Sequence, residues 1–181
     1  MTRARRLAWL VALPLSYHAA AFSLTSPDIA DGQPLSLKHV YNRHSCQGDN
    51  RSPALAWRDA PAGTRSFALT VFDPDARAGL GWWHWAVYDL PAGSRGLAAG
   101  AGSPGGALPV GTQQARTSFG ENRYGGACPP VGDPPHHYQF TLWALDVAKL
   151  GLAADADGPA LQAALKSHLL GQARLTPIYG R

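Results

Sequence analysis

The sequence predicts a mainly β protein built around an antiparallel sheet. The 181 residues include 20 Gly and 15 Pro but only 15% charged side chains, a composition typical of many turns. Short apolar runs alternate with clusters of turn residues, whereas a convincing helical periodicity occurs in only one place. The length suits one domain with its own core, and no repeat or linker divides the chain.

Three segments have the composition and alternation of strands. Residues 66–72 (SFALTVF) are rich in β-branched and aromatic side chains and end at Asp-Pro. Residues 83–88 (WHWAVY) should place their two tryptophans on one face and His84 on the other. Residues 138–145 (YQFTLWAL) show the same alternation. These segments are expected to pair in the sheet.

The one helix signal lies near the C-terminus. The tripeptide at 157–159 (DGP) is a typical helix start, and leucines then recur at every fourth position from Leu161 to Leu169, ahead of Gly171. We expect a helix that packs its leucine face against the sheet. Residues 92–113 are rich in Gly, Ala, Ser and Pro and should form a long loop.

Residues 1–21 have the features of a secretory signal peptide. Three arginines precede an apolar stretch that ends near Leu15, and three alanines before Phe22 suit cleavage. The apolar run is short for a membrane span. We therefore expect a cleaved signal and a single domain over residues 22–181, secreted or periplasmic. An uncleaved anchor and a buried N-terminal helix are the alternatives.

The net charge of +4 belongs mostly to this leader. Three of the 16 basic residues lie in the first 22 positions, which contain no acidic residue, so the remainder has 13 basic against 12 acidic residues. A body with a charge near +1 gives no electrostatic case for nucleic-acid binding. We expect no nucleic-acid partner.

The two cysteines, Cys46 and Cys128, lie too far apart in sequence for a zinc-finger spacing. In an oxidising compartment an even number of cysteines permits one disulfide. Two reduced and partly buried thiols are the alternative, and the sequence leaves both open.

An acidic turn and a histidine form the first polar candidate site. The Asp73-Pro-Asp75 turn directly follows a predicted strand. Its carboxylates either bind backbone N–H groups of the turn, or one of them points into a cleft and orients a histidine. His84 is the candidate partner, although a lone strand histidine is more often a packing residue.

Two further segments add polar groups. Residues 125–138 are a loop stiffened by Gly and Pro that leads into His136, His137 and Tyr138, where alternation puts His136 and Tyr138 on one face. Residues 45–53 (SCQGDNRSP) read as a polar loop. If these segments meet, imidazolium, loop N–H groups and the tyrosine hydroxyl could together hold a small oxyanion, and aromatic side chains could exclude water.

These residues resemble the phosphatidylethanolamine-binding protein family, in its bacterial Raf kinase inhibitor-like branch (YbhB/YbcL). The matching stretches follow the family order over nearly the whole chain beyond residue 22. They are SPDIADG (26–32), SCQGDNRSPALAW (45–57), PAGTRSF (61–67), DPDA (73–76), HW (84–85), YGGACPPVGDPPHHY (124–138) and ALKSHLLGQARLTPIYGR (164–181).

The resemblance implies a large central antiparallel sheet packed with a smaller sheet, plus a C-terminal helix. It also implies a pocket that binds a small phosphate-bearing or other anionic ligand, a phospholipid headgroup among them, or a protein partner. Together with the leader, this predicts an exported binding protein. No cofactor is implied. The ligand-binding residues carried over from the family pattern are Asp73, Asp75, His84, Gly126, Pro130, His136 and Tyr138.

The chain departs from the family pattern at several positions near this site. Arg77 stands where the family has the last proline of DPDAP, Ala127 replaces the proline of GPCPP, and His137 replaces the arginine of HRY. Trp82 and Trp83 make the region more aromatic than usual. These departures bear on the choice of ligand more than on the fold.

Two other functional classes are alternatives. An Asp/His cleft could support acid–base or metal-dependent hydrolysis, but the sequence has no G-x-S-x-G nucleophile motif and no H-E-x-x-H metal motif. The adjacent His136 and His137 point in opposite directions on a strand and suit one metal poorly. We therefore expect neither an enzyme nor a metal site. A protein-interaction or protease-inhibitor module is the other alternative.

Overall fold

The computed structural model describes residues 21–181. The predicted signal peptide, residues 1–21, thus lies outside the described residues except for Ala21, and its cleavage stays a prediction. No helix in the described part has the length and hydropathy needed to cross a membrane.

Ten strands and one α-helix form the described part of the chain. The helix spans Gly158–Ser167 (α1). The strands, in chain order, are Ser23–Thr25 (β1), Leu55–Arg58 (β2), Ser66–Asp73 (β3), Trp82–Pro91 (β4), Gly96–Leu97 (β5), Gln113–Gln114 (β6), His136–His137 (β7), Gln139–Leu145 (β8), Leu169–Leu175 (β9) and Ile178–Tyr179 (β10).

The strands form one large and two small antiparallel sheets. The large sheet has the strand order β6-β4-β3-β8-β9, the second sheet is β1-β2-β5, and β7 pairs with β10. This arrangement confirms the prediction of a mainly β fold with a large central sheet, a smaller sheet and a helix near the C-terminus.

Strand β3 is buried on both faces because each face packs against a different layer. Its odd-numbered residues face the β1-β2-β5 sheet, where the ring centroids of Phe67 and Trp57 lie 5.6 Å apart. On the other face, Ala68 shares a core with Leu161 and Leu165 of α1. The run of residues 66–73 is therefore almost continuously buried, as expected for a central strand.

The helix begins as predicted but ends earlier. The Asp157 side chain caps its first turn. The predicted continuation to Leu169 is wrong, because α1 ends at Ser167 and Leu169 instead opens β9, paired with Leu145. Three leucines at helical spacing span only two turns, and the backbone hydrogen bonds available at the sheet edge outweigh that local preference.

The segment predicted as a long loop, residues 92–113, is mostly irregular. It contains the short β5 and the first residue of β6. The loop nevertheless packs closely on the core, since a Cβ atom at Gly102 would collide with the Trp85 indole. Glycine is required there by space rather than by backbone conformation.

Two crosslinks hold together the loop before β2 and the segment before β7. Cys46 and Cys128, 82 residues apart, form a disulfide with a Cα–Cα distance of 5.9 Å. The Arg181 guanidinium donates to the backbone oxygens of Pro129 (2.6 Å) and Ser45 (3.0 Å). Of the two states that the sequence leaves open for the cysteines, the structure has the bonded one.

The double variant Cys46→Ala with Cys128→Ala should lower the free energy of unfolding by about 2–4 kcal/mol, because the disulfide restricts the unfolded chain across a long loop. Urea unfolding of the variant and of the oxidised wild type measures the difference. Reduced wild type is the matched control, since it loses the bond but keeps both side chains. Equal midpoints for oxidised and reduced wild type would contradict the expectation.

Candidate functional site

A cavity of about 330 Å³ lies where β3 ends and β4 begins. The turn after β3 and the segment before β7 form part of its boundary. Its apolar lining comes mainly from Trp82, Phe119, Pro129 and Pro130. Its polar lining comes from His44, Asp73, Arg77, His84, His136 and Tyr138. The cavity therefore combines a few polar groups with a largely apolar wall, as small-molecule sites usually do.

Five of the seven ligand-binding residues carried over from the family pattern line this cavity. Asp75 and Gly126 do not. Asp75 lies outside the cavity, where its carboxylate binds His137 and its N–H donates to Asp73. Gly126 lies behind the wall, where its backbone oxygen contacts His84. The five lining residues are Asp73, His84, Pro130, His136 and Tyr138.

The Asp73 carboxylate joins the acidic turn to the cavity. One oxygen, Oδ1, accepts hydrogen bonds from the backbone N–H groups of Asp75 (2.9 Å) and Ala76 (3.2 Å). The other, Oδ2, lies 2.7 Å from Nδ1 of His136. The two roles predicted for the turn carboxylates, binding backbone N–H groups and orienting a histidine, thus both belong to the Asp73 side chain. The prediction that Asp73 orients His84 is wrong, because the histidine that it orients is His136.

His84 is held by backbone carbonyls instead. Its Nδ1 lies 2.8 Å from the oxygen of Gly125 and 3.1 Å from that of Gly126. Two acceptors at one nitrogen place the proton there, so Nε2 is left for the cavity. Burial lowers the pKa of His84 below its usual 6.5, and it outweighs the opposing effects of the Gly125 carbonyl and Asp73. His84 is therefore neutral near pH 7.

A β-bulge turns His84 toward the cavity. Val71 pairs with Trp85 and Phe72 with Trp83, so His84 has no partner residue on β3. The expectation that the two tryptophans share a face is wrong for this reason. Trp85 packs in the core between the sheets, whereas Trp83 stacks near Phe72 and packs against the start of α1.

Strand β7 separates its two histidines. His136 is buried and faces the cavity, and its Nε2 lies 3.5 Å from the Asp133 carboxylate. His137 is exposed, and both its backbone N–H and its Nδ1 bind Asp75, at 2.8 and 2.9 Å. Partial burial would raise the pKa of Asp75, but the hydrogen bonds from His137 outweigh it and hold that pKa below its usual value.

Among residues 21–181, the Tyr138 hydroxyl is the one buried side-chain polar atom of the lining without a hydrogen-bond partner. Its ring lies edge-on to His84, with centroids 5.1 Å apart. Burial raises the pKa of Tyr138 well above its usual value, and the nearby Asp73 charge acts in the same direction. The hydroxyl therefore stays protonated and is available as a donor.

Phe119 organises the aromatic part of the wall. Its ring lies 4.4 Å from Tyr41, 5.4 Å from Trp82 and 5.4 Å from His84, centroid to centroid. The sequence does not identify Phe119 as a lining residue, because Phe119 lies among turn residues and belongs to no strand, helix or motif pattern. It also missed His44, which lines the cavity two residues before Cys46. The available signal in the sequence was the position of His44 close to Cys46.

The polar loop at residues 45–53 supports the site from behind. The Asn50 side-chain oxygen accepts from the backbone N–H of Gly126 at 2.7 Å. A Cβ atom at Gly126 would collide with backbone atoms of His39 and Tyr41. The carbonyls that hold His84 are thus fixed by a close backbone contact that only glycine permits.

The cavity lining offers hydrogen-bond donors and few chemically reactive side chains. In the described part of the chain, no three His, Cys, Asp or Glu side chains lie together as metal ligands would. The sulfur atom of the lining residue Cys128 is bonded to Cys46. What the cavity can do chemically is donate a hydrogen bond from the Tyr138 hydroxyl, and from His84 Nε2 once that ring is protonated, within an apolar enclosure.

The chain is similar to a known sequence family and to several known proteins. The sequence model described as phosphatidylethanolamine-binding protein matches residues 25–180. The UPF0098 protein YbcL of Escherichia coli is 44% identical over 171 residues, covering 94% of this chain and 93% of YbcL. The UPF0098 protein YbhB of the same organism is 46% identical over 156 residues, covering 86% and 98%.

Two further similarities extend the comparison. A protein of Mycobacterium tuberculosis named putative lipoprotein LppC is 40% identical over 158 residues, covering 87% of this chain and 71% of LppC. The crystal structure of E. coli YbcL, described as a new member of the mammalian PEBP family, superposes with a TM-score of 0.86, covering 90% of this chain and 99% of that one. The chain therefore belongs to the phosphatidylethanolamine-binding protein family.

Proposed function

We propose that this protein binds a small phosphoryl-bearing anion in the cavity at the end of the large sheet. The observation that carries the proposal is the Tyr138 hydroxyl, which is buried, protonated and unpartnered among the described residues beside His84 and His136. A buried donor without an acceptor is unfavourable. An anionic oxygen placed there would supply the missing acceptor.

The enclosure favours a phosphate group with a short substituent. About 330 Å³ is at the lower end of the range for small-molecule sites, which suits a headgroup-sized ligand. The apolar wall formed by Trp82, Phe119 and Pro130 excludes water from the donors, which strengthens each hydrogen bond to a charged oxygen.

A binding role fits the lining better than hydrolysis. The cavity is lined by no serine or threonine, and the sulfur of its one cysteine, Cys128, is bonded. The Nδ1 of His84 faces carbonyls and that of His136 faces a carboxylate, so each ring is oriented from behind. We therefore propose a binding protein and not an enzyme.

Tyr138→Phe should abolish most of the phosphoryl affinity while leaving the melting temperature equal to or above that of wild type. The change removes only an oxygen that lacks a partner in the unliganded protein, so stability is not lost with it. Thermal-shift titrations with phosphate, phosphoethanolamine and phosphocholine measure both effects, with chloride as the salt control.

At about 100 times its dissociation constant, a ligand should stabilise wild type by roughly 2.7 kcal/mol, several degrees for a domain of this size. A matched control is Tyr179→Phe, a half-buried tyrosine of β10 that does not line the cavity. Equal shifts for wild type and Tyr138→Phe would remove this hydroxyl from the site, and no shift with any phosphoryl ligand would refute the proposal.

Anion affinity should rise as pH falls from 7.5 to 5.5. Because the pKa of buried His84 lies below 6.5, binding an anion beside it is coupled to proton uptake, by at most about tenfold in affinity per pH unit for one proton. Sulfate is the appropriate probe, since its charge is constant over this range. Asp73, His136 and Tyr138 also face His84 across the cavity.

The variant His84→Asn keeps a donor toward the carbonyls and should flatten this pH dependence. Without sulfate, the free energy of unfolding should change with pH in the opposite direction to the sulfate affinity. The stability that neutral His84 contributes is present above pH 6.5 and is lost as the pH falls, because protonation favours the unfolded state. Calorimetric titration at several pH values measures the first effect and thermal melts the second. Sulfate affinity that does not change with pH in wild type would contradict the coupling.

We also propose that the protein is exported and that residues 1–21 are removed. Its support is the basic and apolar leader, the disulfide, which suits an oxidising compartment, and the similarity to a protein named as a lipoprotein.

The full chain expressed in a bacterial host should appear in the periplasmic fraction with an N-terminus near Phe22. Mass spectrometry of the intact protein locates that terminus. The variant Leu10→Arg interrupts the apolar stretch and should remain unprocessed in the cytoplasm. Periplasmic wild type that still begins at Met1 would contradict cleavage, and cytoplasmic wild type would contradict export.

A further inference from the structure

The charge of the cavity lining depends on one residue. Its charged and titratable side chains, apart from the tyrosine, are one carboxylate, Asp73, the guanidinium of Arg77 and three histidines. Arginine carries its charge at every physiological pH, whereas histidine does not. When the histidines are neutral, Arg77 is the only positive group in the lining and balances Asp73.

Arg77 has no other electrostatic partner in the described part of the chain. It is exposed and forms no ion pair there. A second, smaller cavity on its other side contains Asp157, but that carboxylate already caps α1 through the N–H of Ala160, at 3.0 Å. The guanidinium of Arg77 is thus available to a ligand.

The backbone holds Arg77 at the cavity in an uncommon conformation. Arg77 and Ala78 have φ values of 54° and 56°, and Gly79 follows at 89°, so three consecutive residues are left-handed. Side-chain-bearing residues adopt this region at a cost, and such strain concentrates at ligand sites. The turn is closed by a hydrogen bond from Gly81 N–H to the Ala76 oxygen, 3.0 Å.

The same turn is tied to the interior of the site. The N–H of Ala76 donates to the Asp73 carboxylate, whose other oxygen binds His136. The residue next to Arg77 is therefore one hydrogen bond away from the buried Asp73–His136 contact. The position of the guanidinium relative to the donors inside the cavity is set by this short connection rather than by a free loop.

We propose that Arg77 makes this cavity selective for doubly charged phosphate monoesters over singly charged phosphate diesters. A guanidinium binds two phosphate oxygens at once, and its planar geometry matches them. A monoester has three unsubstituted oxygens and two charges near neutral pH, whereas a diester has two such oxygens and one charge. The inner Tyr138 hydroxyl and two N–H groups of the outer Arg77 can then each bind a separate unsubstituted oxygen only in the monoester.

This inference rests on the proposed function, because it assigns a ligand class to the same cavity. Arg77 is exposed, so solvent and salt weaken its interaction, and the expected discrimination is moderate. A preference of about tenfold, equivalent to ~1.4 kcal/mol, is the expected size.

The test compares methyl phosphate with dimethyl phosphate by calorimetric titration at pH 8 and low salt. At this pH buried His84 is neutral and methyl phosphate carries two charges. Wild type should bind methyl phosphate about tenfold more tightly. Arg77→Gln should bring the ratio close to one while changing the dimethyl phosphate affinity less than about twofold, and Arg77→Lys should give an intermediate ratio.

Arg58→Gln is the matched control, since Arg58 is an exposed arginine of β2 outside the cavity lining. It should keep the wild-type ratio. Melting curves establish that each variant is folded. A further measurement needs no variant. The affinity of wild type for methyl phosphate should fall more steeply with added NaCl than its affinity for dimethyl phosphate.

The outcomes separate the two proposals. An unchanged ratio in folded Arg77→Gln, or equal salt dependence of the two ligands in wild type, overturns the role of Arg77 and leaves the anion site in place. Binding of neither ligand by wild type overturns the anion site itself, and the inference falls with it. A wild type that prefers dimethyl phosphate overturns the selectivity while the site remains.

Discussion

The buried carboxylate of Asp73 is the interaction on which the site depends. It is 2% exposed, and its oxygens accept from the backbone of the turn and contact His136, so one side chain ends β3, shapes the turn and orients a lining histidine. A buried carboxylate is tolerable only when its oxygens are satisfied in this way. The end of β3, the turn after it and β7 are thus joined at the edge of the cavity by this one side chain.

Two of the three lining histidines, His84 and His136, have different electrostatic environments within one enclosure. His136 faces a carboxylate, whereas His84 faces the carbonyls of Gly125 and Gly126 and is buried away from solvent. Carbonyl dipoles compensate an imidazolium far less than a carboxylate does, so the same residue type serves two purposes. The difference arises from backbone irregularity, namely the β-bulge at His84 and the close packing of Gly126.

The sequence predicted the mainly β fold and the segments that meet at the site, because alternation and turn residues are local signals. It named Asp73 and His136 but paired the carboxylate with His84, since nothing local reports which strand end faces another. The bulge that separates Trp83 from Trp85 and the early end of α1 were missed for a related reason. Both depend on pairing with strands far away in sequence, which overrides the local period.

The crosslinked wall has a consequence for how the cavity discriminates among molecules by size. The disulfide and Arg181 fasten the segment with Pro129 and Pro130 to the loop that carries His44, and Phe119 packs against that loop through Tyr41. A wall fastened to its neighbours in this way should resist outward movement to admit a bulkier molecule. We therefore expect the cavity to select molecules by size and not by adapting its shape to them.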